Sequence, residues 1–167
     1  MSGDKPWISG NLRITKEAMK AIEEEAIRCY PSEACGFVAG PAQDPLLLDE
    51  TIHEVNEADK YHALDPETFP RTSRTYFKLN ELRASRRFEE GEKSGRPIKV
   101  IYHSHTDTTA HFSEEDAYTF ASDGQLMWPC AFIVVSVVDG KVEERRLHIH
   151  RPGTNEFEES TLEIIDG

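Results

Sequence analysis

The chain has 167 residues, enough for one domain around one hydrophobic core. Its 31 Asp and Glu outnumber 19 Lys and Arg, a formal net charge of -12 that argues against nucleic acid or an anionic membrane surface as partner. No apolar run approaches the roughly 20 residues that span a bilayer, the opening Met-Ser-Gly-Asp-Lys-Pro-Trp lacks the apolar centre of a signal peptide, and Cys29, Cys35 and Cys130 form no Cys-x-x-Cys pair, so a cytoplasmic protein with reduced thiols is expected.

Asn11 to Ile14 reads as a short strand, and Thr15 is placed to cap a helix over Lys16 to Arg28. There Met19, Ile22 and Ala26 recur at helical spacing while Glu23, Glu24 and Glu25 face water. Pro31 and Ser32 break that helix, and Ala34 to Ala39 is a buried strand with Glu33 at its entrance. Leu46 to Val55 is a further strand whose alternation slips near Glu50, as a bulge would make it. Asn56 to Ser73, polar and punctuated by Pro66 and Pro70, reads as an irregular surface excursion.

Phe77, Leu79, Leu82 and Phe88 suggest a helix over Thr75 to Glu90, ended by Gly91, Gly95 and Pro97. Ile98 to Tyr102 is a short strand that delivers His103 and His105, and a second short helix is expected from Ser113 to about Ala121. Ala131 to Val138 is the most apolar stretch and reads as a central strand. Asp139-Gly140 is a hairpin turn into Lys141 to His150, and Glu156 to Ile165 adds an edge strand. Helices mixed with an antiparallel hairpin predict an α/β sandwich around a mixed, largely antiparallel sheet: a single domain over residues 1–167 with its core at about 11–150.

The chemistry concentrates between Tyr102 and Asp116. Two residues apart on a strand, His103 and His105 share a face, while Ser113-Glu114-Glu115-Asp116 has the form of a capping box that tilts Asp116 back toward the preceding loop. Two imidazoles and one carboxylate are a donor set for zinc with a fourth position left to water. A Ser-x-x-Asp alone marks a helix cap, and an isolated His-x-His carries little. His148-Ile149-His150 repeats the spacing with no carboxylate placed downstream, and reads as a surface or sheet-packing pair.

The joint pattern of His-Ser-His, seven residues and Ser-x-x-Asp, preceded by a glutamate at an early strand, resembles the JAMM (MPN+) zinc metallopeptidase family. The resemblance implies the JAB1/MPN, cytidine-deaminase-like fold and one Zn²⁺ per chain held by His103, His105 and Asp116. It implies Glu33 as general base and Ser113 as a donor to the oxyanion. Thr106 stands where most members have proline, and with the Asn56 to Pro70 excursion it is similar to the bacterial branch acting on ubiquitin-like sulfur-carrier proteins. The expected activity is hydrolysis of the amide bond after a carrier's C-terminal Gly-Gly, freeing an amino acid such as cysteine or trimming a precursor. An isopeptidase removing a modifier from lysine and a non-catalytic MPN interaction module are the alternatives.

Other residues near this pattern carry their own readings. Cys35 reads as a small buried hydrophobe rather than a nucleophile, and His111 as an exposed loop histidine. Arg71 and Arg74, with Tyr61, His62 and Phe69, are candidates to grip the extended tail or terminal carboxylate of a partner. No nucleic-acid or membrane partner is expected, and a homodimer is left open.

Overall fold

A computed structural model describes residues 5–166. Met1 to Asp4 and Gly167, part of the expected 1–167 domain and of the amino-terminal stretch read above, lie outside the described residues. The chain enters through a 3₁₀ turn, Pro6–Ser9, then strand β1 (Leu12–Thr15) and helix α1 (Lys16–Cys29). Thr15 caps α1 as expected, its side chain accepting from Ala18 N, and Met19, Ile22 and Ala26 form the buried face.

Strand β2 (Cys35–Ala39) follows, with Glu33 at its mouth. The expected single bulged strand over Leu46 to Val55 is instead two strands in two sheets. β3 (Leu47–Leu48) pairs with β1, and after Asp49 the chain crosses to β4 (Glu50–Glu54), which pairs with β2. Asp49 N donates to Ala39 O and its carboxylate meets Arg96, so backbone and side chain both hold the crossing point.

The excursion is also more ordered than its composition suggested. It contains helix α2 (Ala58–Leu64), started by Asn56, whose Oδ1 accepts from Ala58 N and from Lys78 N. The third helix, α3 (Glu81–Ser94), begins later than expected. Phe77 and Leu79 precede the helix and are buried, Asn80 caps the helix by accepting from Arg83 N, and Gly91 lies inside it. Gly95 ends it in the left-handed conformation, φ 77°.

Strand β5 (Ile98–Thr106) runs on through both histidines, and α4 (Glu114–Phe120) starts at Ser113. Two short strands, β6 (Ala121–Ser122) and β7 (Gln125–Leu126), form a small hairpin. β8 (Ala131–Val138) is central and joins β9 (Lys141–His150) through Asp139-Gly140, both at positive φ as such a turn requires. The expected last strand is two, β10 (Phe157–Ser160) beside β9 and β11 (Leu162–Ile165) beside β1.

The main sheet has the order β10-β9-β8-β5-β2-β4, antiparallel except for β5 against β8. A parallel three-stranded sheet, β11-β1-β3, accompanies it. The mixed, largely antiparallel α/β architecture is therefore as expected. Strand alternation gives the main sheet two apolar faces. Val38, Val100, Tyr102 and Ile133 pack with α1, whereas Cys35, Phe37, Ile101 and Phe132 pack with Phe77, Ala84 and Phe120. His103 belongs to the second face, in register with Cys35 across the β2–β5 pair.

Candidate metal centre

β5 positions two of the donors by its pleat. His103 and His105 share a face, while the Oγ of Ser104 between them accepts from Ala34 N at 2.7 Å and Ser104 N donates to Ala34 O at 3.0 Å. That clasp holds the β2 entrance against β5. Since Cys35 pairs with His103, continuing the same register brings Glu33 opposite His105. Glu33 N donates to Ser73 O at 2.6 Å and Asn56 Nδ2 donates to Glu33 O at 3.0 Å, so the excursion fixes its backbone from the other side.

α4 supplies the third donor. Its capping box is complete: Ser113 Oγ accepts from Asp116 N and Ser113 N donates to Asp116 Oδ2, both at 3.0 Å. The same Oδ2 lies 3.1 Å from His103 Nε2 and 3.2 Å from His105 Nε2, and the two nitrogens are 3.2 Å apart. Among the described residues, His103, His105 and Asp116 are the one group of three able to converge on a metal ion.

The electrostatics favour a cation at that point. His105 donates from Nδ1 to Thr109 O at 2.9 Å, so its neutral ring carries a lone pair on Nε2. His103 is fully buried, and burial pushes its pKa below the ordinary value despite the Asp116 carboxylate. Its Nδ1 has no hydrogen-bond partner among the described residues, and the ring is held by stacking on Phe77 at 4.3 Å between centroids. Burial alone would raise the Asp116 carboxyl, but the imidazoles beside it outweigh burial and hold it well below the usual range. Two ring nitrogens and a carboxylate oxygen lie within 3.2 Å of one another, close enough for all three to be bridged by one cation. The residues present therefore fit zinc with an open fourth position.

Glu33 is 6% exposed, and burial together with the Asp116 charge raises its pKa well above the usual carboxylate range. It lines a cleft of about 250 Å³ with His105, Ser113 and Asp116. Arg71 and Arg74 line the same cleft, as does His111, half-buried and 4.8 Å from the His105 ring rather than simply exposed. Arg71 is ion-paired with Glu115 of α4 and its Nε donates to Thr75 Oγ1. Thr106 donates its hydroxyl to Arg74 O at 2.7 Å, a bond proline lacks the group to make, and so ties β5 to the far wall. Cys35 is buried, and burial drives its thiol pKa upward, away from nucleophilic use.

Several supporting residues escaped the sequence reading. The loop between the ligands is pinned by Ser136 Oγ to Thr108 O, by Ala110 N donating to Glu144, and by His148 Nε2 donating to Ala110 O at 2.8 Å. His148, expected to be a surface or sheet-packing residue, thus holds the backbone that feeds α4. No local pattern marks such a role, because each partner is remote in sequence. A larger cavity of about 590 Å³ opens beyond Glu33, lined by Cys29, His53, Asp59 and Arg83. Of the metal donors, His105 and Asp116 line the smaller one.

Comparison with known proteins is consistent with this geometry. A family model for prokaryotic homologs of the JAB domain matches residues 15–149. Curated CysO-cysteine peptidases of Mycobacterium tuberculosis and Mycobacterium bovis are 32% identical over 108 residues, 63% of this chain and 62% of theirs. The chain thus aligns with less than two thirds of those relatives' length. Among solved structures, a protein from Desulfitobacterium hafniense matches with a TM-score of 0.68 at 20% identity, covering 93% of this chain and 94% of the other. A JAB1/MPN domain protein from Archaeoglobus fulgidus matches with 0.55 at 18% identity, covering 93% and 99%. At those identities the structural likeness speaks for the fold alone.

Proposed function

This chain belongs to the prokaryotic JAB-domain family, and from that premise we propose that it is a zinc-dependent peptidase. It cuts the amide bond after the C-terminal Gly-Gly of a small ubiquitin-like sulfur carrier and releases an amino acid such as cysteine. The observation that carries this reading is the meeting of His103 Nε2, His105 Nε2 and Asp116 Oδ2 within 3.2 Å, in a cleft that Glu33 also lines. Cysteine as the released group is supported by the name of the mycobacterial relatives, CysO-cysteine peptidase, and the ubiquitin-like carrier by the resemblance of the His103 to Asp116 pattern to the bacterial branch of the family.

Zinc held by these three residues would acidify a water and polarise the scissile carbonyl. Glu33, with its carboxyl held above the usual range, takes a proton at its carboxylate and returns it to the departing amine. The Ser113 oxygen already accepts from Asp116 N, which leaves its own hydrogen to be donated to the carbonyl oxygen as that oxygen gains charge. Arg71 and Arg74, on the opposite wall, meet the incoming tail. A Gly-Gly end suits so small a cleft because it has no side chains.

On this reading residues 1–167 form one peptidase domain with one zinc, acting in the cytoplasm without nucleic acid or membrane. No helix among the described residues is long and apolar enough to cross a membrane. The test is cleavage of a carrier ending in Gly-Gly-Cys, compared with a lysine-linked conjugate, by zinc-loaded and chelated protein. Zinc-dependent release of cysteine is expected; cleavage of the lysine conjugate alone would move the protein to the isopeptidases, and loss of zinc without loss of activity would overturn the metal assignment.

A further inference from the structure

The catalytic cleft does not end at the metal donors. Arg71, Tyr76 and Glu115 line it, and the same three residues line an adjoining cavity of about 350 Å³ completed by Phe69, Pro70 and Tyr118. The two form one groove between α4 and the 68–76 segment, with the Arg71–Glu115 ion pair at their boundary. The far cavity is walled by rings: Phe69 and Tyr76 are half-buried, and Tyr118 stands 88% exposed on α4. Its outer wall is braced, since Tyr61 of α2 packs on Phe69 at 5.0 Å and His62 Nδ1 donates to Phe69 O at 2.8 Å.

We propose that this apolar cavity is a specificity subsite for a large apolar side chain on the third residue counted back from the cleaved bond, with the Arg71–Glu115 pair selecting glycine at the two positions between. The inference rests on the peptidase reading above for the direction of the chain. The spacing follows from α4. From Ser113 to Tyr118 the helix rises by roughly 7.5 Å, which is about two residues of extended chain at ~3.3 Å each. Ser113 and Tyr118 also lie on different sides of the helix, so this rise is the shortest span, and a tail whose last carbonyl lies beside Ser113 reaches Tyr118 with its third residue at the earliest. At the boundary the charged pair leaves room for backbone, whereas between Tyr118, Phe69 and Tyr76 the surroundings favour an aromatic or branched aliphatic group.

The test uses fluorescent peptides ending in Phe-Gly-Gly, Leu-Gly-Gly, Ser-Gly-Gly or Asp-Gly-Gly, which contain no bond to cut, titrated onto zinc-loaded protein and onto Tyr118→Ala. The Phe and Leu peptides are expected to bind about tenfold or more tighter than the Ser and Asp peptides. In Tyr118→Ala the Phe peptide falls to the affinity of the Ser peptide, while replacing the penultimate glycine by valine abolishes binding to the native protein. Equal affinities across the series, no binding by any peptide, or a preference that survives in Tyr118→Ala would each overturn the subsite. If the preference holds but no peptide extended by cysteine is cleaved, the subsite stands and the peptidase reading falls.

Discussion

The two His-x-His pairs are alike in sequence and in secondary structure, yet only one gathers donors. His103 and His105 lie on β5, His148 and His150 on β9, and all four are buried. In the first pair both Nε2 atoms face Asp116 and each other. In the second, each Nε2 donates to a backbone carbonyl, His148 to Ala110 and His150 to Thr154, at 2.8 and 2.6 Å. A nitrogen that donates has no lone pair for a metal. The difference lies in what the opposing element presents, a capped helix with a buried carboxylate or a loop carbonyl, and not in the spacing.

Removing the carboxylate should erase the distinction. His103→Ala or Asp116→Ala is expected to drop zinc content from about one to near zero and to abolish turnover, because two remaining donors no longer make a site. His148→Gln should keep its zinc; metal analysis of the purified variants checks both. Glu33→Gln separates holding a metal from using it. Zinc content stays while kcat falls by about 10² to 10⁴, and a variant of native activity would remove Glu33 from the reaction. The same substitution carries a stability sign. Because burial raises the Glu33 pKa, the folded protein loses stability as pH rises from the ordinary value of 4.5 through the raised one. The metal-free Gln variant, which has no carboxylate to ionise, should therefore melt higher than the metal-free native protein at neutral pH.

Ser113 couples the helix start to the chemistry. Ser113→Ala should cost about 1 kcal/mol in stability through the lost cap and about 10² in kcat through the lost hydroxyl donor. Ser113→Asp sharpens the point, since a carboxylate restores the cap but not the donor; melting temperature should recover while kcat does not.

The smallest effect belongs to the second pair. Burial holds His148 below its ordinary pKa, so the unfolded chain binds the proton more readily and stability is lost as pH falls through about 6.5. Replacing His148 with Gln should flatten that slope between pH 7 and pH 5 in thermal unfolding. Because His148 also steadies Ala110, zinc affinity should weaken by about tenfold or less.

Much of the site was legible from residues alone. Thr15 and Ser113 announced their helices through cap chemistry, His103 and His105 shared a face by strand period, and the Asp139-Gly140 turn fixed the β8–β9 hairpin. The misread regions had local patterns that admitted two solutions. Leu46 to Val55 alternates well enough for one strand, but Asp49 is pinned to Ala39 and Arg96, and the chain changes sheets there. Phe77 and Leu79 fit a helix stripe, yet the first helical signal with a satisfied cap is Asn80. Helical order in the excursion depended on Asn56 bonding to Ala58, Lys78, Glu33 and Tyr76, contacts made only after folding.

The sequence by itself determined which atoms could hold a metal, because residue type and the period of strand and helix place donors on a face. Only the tertiary structure decided that Glu33 joins them, through the β2–β5 register and the Ser104–Ala34 clasp, and that His148 does not. Register and opposing elements are long-range properties: a nitrogen becomes a ligand or a donor according to what the rest of the fold sets against it.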